Sequence, residues 1–214
     1  MKFPIASFTL LFLILAAVPA LAQGNVYDNG PLNGEVDSFI INFGFSVSDS
    51  FTVSNNNGHI GGMDFVAWLD PGDTDTSVEI QIGNQAFGNN LMDVTVALTQ
   101  SACFMNDFGF DVCHESSTFN GPNLSNGTYW VTLSNAVNDA GDPTYWDQNS
   151  GAGCMSPGCP SQAQNDTGSI PSEAFTLTAQ GTTTTTGSTP EPDSILLFGV
   201  GALAVVGRLR GKLF

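Results

Sequence analysis

Between Phe39 and Val47 every odd position is apolar (Phe39, Ile41, Phe43, Phe45, Val47), while Asn42, Gly44 and Ser46 take the alternate side. Period two is the signature of a half-buried β-strand, because successive side chains leave opposite faces of the pleat. Phe51 and Val53 resume the same parity after Ser48-Asp49-Ser50, which reads as a corner. The alternation returns in Met63, Phe65, Ala67, Leu69; in Val78, Ile80, Ile82; in Met92, Val94, Val96, Leu98; in Tyr129, Val131, Leu133; and in Phe175, Leu177. No stretch of this body carries a stripe spaced i, i+3, i+4, i+7. The connectors, such as Asn55-Asn56-Asn57-Gly58, Pro71-Gly72-Asp73 and Asp139-Ala140-Gly141-Asp142-Pro143, are turn chemistry. Seven or eight short strands with one buried face each predict an all-β body over residues 23–180, an antiparallel two-sheet sandwich of jelly-roll-like kind.

The charges are segregated. Of 214 residues 20 are Asp or Glu and 4 are Lys or Arg, and the four cations are Lys2, Arg208, Arg210 and Lys212. Between Gln23 and Asp193 there is no Lys or Arg, and all 20 carboxylates lie there. A body of this charge repels phosphate backbones and anionic lipid, which excludes nucleic acid and membrane-surface binding by the body.

The first 22 residues read as a signal peptide with its short helix. Lys2 is the positive start, residues 8–18 are apolar, and Ala20-Leu21-Ala22 is a cleavage site for signal peptidase. The body is therefore expected outside the cytoplasm. At the other end, Gly181 and Thr182 through Thr186 open a threonine-rich linker over residues 181–189, with no residue able to form a core. Beyond it stand Pro190-Glu191-Pro192, an apolar or glycine run over residues 195–207, and the cluster Arg208, Arg210, Lys212. At a rise of ~1.5 Å per residue the apolar run spans ~20 Å, short of a ~30 Å hydrocarbon core. That length suits a transient membrane stop, with the basic residues holding the C-terminus in the cytoplasm.

This three-part ending resembles the PEP-CTERM sorting signal of exported bacterial proteins. The resemblance implies that Pro190, Glu191 and Pro192 are the recognition mark for an exosortase-type membrane protease within a signal over residues 190–214. It also implies contact with the membrane only through the C-terminal helix before processing, and delivery to the cell surface or extracellular matrix. The basic tail is thinner than usual, its cations interrupted by Leu209 and Gly211. Three stretches of the body, residues 128–136, 143–151 and 168–175, also resemble ectodomains of PEP-CTERM proteins, which implies β-rich architecture and no particular ligand.

Four cysteines in an exported chain argue for two disulfides. Of the three pairings, Cys103 with Cys113 and Cys154 with Cys159 are favoured, since each closes a short loop with little core of its own. Neither His59 nor His114 sits in a nucleophile, zinc or phosphate-cradle motif, and the expectation is that the chain is not an enzyme. No cofactor is demanded by the sequence, and Ca²⁺ is the one candidate. Asp70, Asp73, Asp75 and Glu79 place four carboxylates around a Pro-Gly turn, the hard-oxygen chemistry that Ca²⁺ takes. Asp139, Asp142 and Asp147 form a second, weaker group. Trp68 and Trp130 fall on the polar side of their strands, and Tyr145-Trp146 stands beside Asp147-Gln148-Asn149. These aromatics are either covered by loops or exposed as platforms for extracellular polysaccharide. The resulting expectation is a surface-delivered protein of structural or adhesive role, with a calcium-assisted carbohydrate-binding module as the alternative.

Overall fold

The computed structural model describes residues 24–54, 58–150, 160–164 and 168–181. The signal peptide, the linker beyond Gly181, the Pro190-Glu191-Pro192 motif, the C-terminal helix with Arg208, Arg210 and Lys212, and the Cys154–Cys159 pairing lie outside the described residues. Chain contacts divide into two compact units, Met1–Gly181 and Thr182–Phe214.

The described residues build β-strands throughout: β1 (Asn25–Asp28), β2 (Ser38–Ile40), β3 (Ser46–Val53), β4 (Ile60–Leu69), β5 (Asp75–Gly83), β6 (Met92–Ala97), β7 (Thr99–Met105), β8 (Asp111–Thr118), β9 (Gly127–Asn138), β10 (Tyr145–Asp147), β11 (Ser161–Ala163), β12 (Gly168–Ile170) and β13 (Phe175–Ala179). They form two antiparallel sheets. In the first, β4 is the spine. Along one side it pairs with β8, from Gly62 opposite Thr118 to Leu69 opposite Asp111, and β7 pairs with the far side of β8. Its other side is shared: β13 takes the first half and β10 takes Ala67 and Trp68, with β1 beyond β13 and β2 beyond β10. The second sheet runs β12-β11-β3-β9-β5-β6.

The core lies between the sheets, where the period-two positions meet. Val47, Phe51 and Val53 of β3, Ile80 and Ile82 of β5, and Val131 and Leu133 of β9 come from one sheet. Met63, Phe65 and Leu69 of β4, Trp146 of β10, and Phe175 and Leu177 of β13 come from the other. Burying one such side chain is worth ~1.5–3 kcal/mol, so the alternation alone fixes which face of each strand turns inward.

Three strand-level expectations are corrected. Residues 39–47 are not one strand, because Phe43 (φ 54°) and Gly44 (φ 86°) form a tight turn between β2 and β3. Ile41 stays in the core while Phe43 and Phe45 are exposed. Ser48-Asp49-Ser50 is no corner either. It is the buried middle of β3, and Asp49 points inward on the parity of Val47 and Phe51. The strand count is also larger than seven or eight, since β7 has no buried face and β2, β10, β11 and β12 are only three residues long, too short to show a period.

Two irregularities reset the parity. Asn135 has φ 49°, and the β5–β9 register shifts beside it, turning Ala136 and Asn138 inward and Val137 out to solvent. The same break lies between Asp75 and Glu79, so the Asp75 side chain is buried although Val78, Ile80 and Ile82 set the inward parity of β5.

Candidate cation site and buried carboxylates

The Pro71-Gly72 turn leaves β4 with Gly72 at φ 93°, a conformation glycine adopts without strain, and Asp73 N donates to Asp70 O at 3.0 Å. Gly72 N donates to Asp111 Oδ2 at 3.0 Å, tying the turn to the start of β8. The β9–β10 connection approaches from the other side. Asn138 Oδ1 accepts from Gly141 N and Asp142 N, and Asn138 Nδ2 donates to Asp142 O at 2.9 Å and to Asp73 Oδ2 at 3.3 Å. Asn42 Nδ2 donates to Asp142 O at 2.9 Å. Asp70, Asp73 and Asp142 thereby each present a carboxylate oxygen within 4.8 Å of the others. Desolvation, then the charges of Asp142, Asp70, Asp139 and Asp111, push the Asp73 carboxyl above its ordinary range. With no Lys or Arg between residues 23 and 193, a proton or a metal ion is what can relieve that repulsion.

This cluster draws on both acidic groups of the sequence and keeps only part of each. Asp75 is buried, and its Oδ1 accepts from Thr144 Oγ1 at 2.8 Å. Glu79 lies on the outer face of the second sheet, accepting from Gln81 Nε2 at 2.6 Å and from Asn135 Nδ2. Asp139 Oδ1 caps Thr74 N at 2.9 Å. Asp147 is buried and accepts from Trp68 Nε1, Asn33 N and Gly34 N.

The aromatic residues are placed as follows. Trp146 is fully buried in the core, its Nε1 donating to Ala174 O at 3.0 Å. Trp68 is on the outer face of the first sheet, yet only 5 % exposed, because Phe108 stacks on it at 5.8 Å and Phe110 packs at 5.9 Å. Tyr145 is half-buried edge-on against Phe110, and Trp130 is half-buried on the outer face of the second sheet, opposite Ser50 and Gly83. The four are not brought to one surface. The cover over Trp68 is the tip of the β7–β8 hairpin, closed by the Cys103–Cys113 disulfide and docked through Asn106 Nδ2 to Gly34 O at 3.0 Å.

Sequence reasoning missed three inward carboxylates of the sandwich, Asp49, Glu115 and Glu173, and named Asp75 as a surface ligand where the structure buries it. Asp49 and Glu173 are fully buried, as is Glu115, and Asp75 is 1 % exposed. Asp49 Oδ1, Asp75 Oδ2 and both oxygens of Glu115 and of Glu173 accept no hydrogen bond. Burial raises Glu115 to about 8, helped by the Asp75 charge, and raises Asp49 to about 7 against its hydrogen bonds. Burial, then the charges of Asp49, Asp147 and Asp37, holds Glu173 well above the carboxylate range. The signal was present in parity: Asp49 shares it with Phe51, and Glu173 with Phe175 and Leu177.

Among the described residues no helix is long and apolar enough to cross a membrane. No curated protein and no solved structure matches the chain. Residues 188–210 match the family model of the PEP-CTERM protein-sorting motif. That match does not extend to the body, so the ectodomain resemblance gains nothing from it. The chain is a PEP-CTERM-containing protein, whose motif marks a β-rich protein for export, exosortase-type processing and delivery to the cell surface.

Proposed function

We propose that the protein is a non-enzymatic component of the cell surface or extracellular matrix, with a structural or adhesive role. On this reading a signal peptidase removes residues 1–22, the apolar C-terminal helix anchors the chain briefly, and an exosortase-type protease separates residues 23–180 from that anchor near Pro190. The observation that carries it is the sorting motif at residues 188–210 behind a threonine-rich linker and a body with no cation. Mass spectrometry of the protein recovered outside cells tests it. The expected chain begins at Gln23 and ends before Arg208, and a Glu191→Ala variant accumulates uncut in the membrane. An extracellular chain that still carries Arg208 to Phe214 would refute the sorting step.

A second reading, a calcium-assisted carbohydrate-binding module, is favoured by the convergence of Asp70, Asp73 and Asp142 at one end of the sandwich. On this reading Trp130 and Tyr145 are the aromatics left to meet sugar, since Trp68 and Trp146 are buried. Glycan binding that needs Ca²⁺ and is lost in Trp130→Ala, with the fold intact by circular dichroism, supports this reading over a purely structural role.

A further inference from the structure

Asp49 of β3 and Glu173 of the β12–β13 connection are joined inside the sandwich, where Glu173 N donates to Asp49 Oδ2 at 2.7 Å and the Asp49 charge leads those acting on the Glu173 carboxyl. Asp49 projects from β3 on the inward parity, and Glu173, two residues ahead of the core residue Phe175, sits where the chain enters β13. Both are fully buried. One oxygen of Asp49 is saturated: Oδ2 accepts from Ser172 Oγ at 2.7 Å, Glu173 N at 2.7 Å and Asn29 Nδ2 at 3.1 Å. The other, Oδ1, accepts nothing, and neither does Glu173 Oε1 or Oε2. Three donors on one oxygen fix the carboxylate plane and leave its second oxygen oriented, which is how outer-shell hydrogen bonds prepare a metal ligand.

Leaving these oxygens unmade is expensive. A buried polar atom without a partner costs about 1–3 kcal/mol, and an unpaired buried charge costs several. Elsewhere in the sandwich a carboxylate of similar burial is fully served, since Asp147 accepts from Trp68 Nε1 and from two backbone amides. A Lys or Arg is the usual remedy for such a pair, and the body has none. We propose that Asp49 and Glu173 form an internal site for a hard divalent cation, Ca²⁺, which ties β3 to the β12–β13 connection across the two sheets. Asp49 Oδ1 and the two Glu173 oxygens supply three of the six to eight oxygens that Ca²⁺ takes. The site is separate from the Asp70, Asp73 and Asp142 cluster, which shares no residue with it.

The test uses the full chain with Asp70 and Asp142 changed to Asn, so that the surface cluster is silent. Equilibrium dialysis at pH 7.5 is expected to count one Ca²⁺ per chain. Calcium is expected to raise the thermal midpoint by several degrees over chelator, a rise that Asp49→Asn or Glu173→Gln abolishes. Tb³⁺ in place of Ca²⁺ is expected to give luminescence excited through aromatic side chains, lost in Glu173→Gln. No bound ion in dialysis overturns the site. An equal calcium-induced rise in Glu173→Gln also overturns it, reducing the effect to screening of a polyanion. No calcium response together with a Glu173→Gln chain more stable than its parent in chelator overturns it in favour of a shared proton.

Discussion

Trp68 Nε1 donates a 2.6 Å hydrogen bond to Asp147 Oδ1, joining the outer aromatic of β4 to a buried carboxylate of β10. Asp147 also holds Asn33 N and Gly34 N, and Gly34 O in turn receives Asn106 of the β7–β8 hairpin. One carboxylate thus organises the loop, the hairpin tip and the aromatic stack. Removing the indole donor with Trp68→Phe costs about 1.5–3 kcal/mol, the range for a hydrogen bond to a charged group. Asp147→Ala orphans the indole and Gly34 N–H, while Asn33 N keeps Gln148 O at 3.2 Å, and it costs more. Urea unfolding of both variants measures the difference.

Stability falls as pH rises across the neutral range. Burial lifts Asp75 and Asp147 to about 6, Asp49 to about 7 and Glu115 to about 8, all above the value of an unfolded chain. Between the unfolded and folded values the native state holds more protons, so the stability these groups contribute is complete below about pH 4 and is lost as pH climbs through 6 to 8. At about 1.4 kcal/mol per unit the Asp49 shift alone is worth several kcal/mol. Chemical unfolding in chelator at pH 5 and pH 8.5 should show the higher midpoint at pH 5, and Glu115→Gln should flatten the upper part of the slope.

Reduction of Cys103–Cys113 loosens the hairpin locally. The bridge closes a span of 10 residues, for which chain entropy alone is worth about 2–3 kcal/mol. Because Phe108 of that hairpin covers Trp68, the double Cys→Ser variant should show a red-shifted tryptophan emission before global unfolding. An unchanged spectrum would mean that the Asn106–Gly34 contact holds the tip without the bridge.

Trp146→Ala costs about 3–5 kcal/mol, since the ring is fully buried between Phe65 and Phe175. Loss of glycan binding in that variant would report unfolding and not a missing platform. Thermal melting beside any binding assay separates the two.

Calcium added to wild type should raise stability partly through Asp70, Asp73 and Asp142. Changing Asp142 to Asn should lower the Asp73 carboxyl toward its ordinary range, because Asp142 is the strongest of the charges acting on it. Carboxylate NMR titration of Asp73 reads this directly.

The sequence by itself determined the strand period, the inward residues of β4, β5 and β9, the segregated charge and the sorting end, because each is written in local spacing or in composition. Tertiary structure decided what spacing cannot encode. Asp142 joins Asp70 and Asp73 because the β9–β10 connection folds over the Pro71-Gly72 turn, while the register break in β5 takes Asp75 into the core. Trp68 is covered because a disulfide-closed hairpin from beyond β8 lies on it. Asp49 and Glu173 are 124 residues apart, and the Glu173 amide reaches the Asp49 carboxylate only once the sheets have closed, so their shared burial and its charge are properties of the packed sandwich.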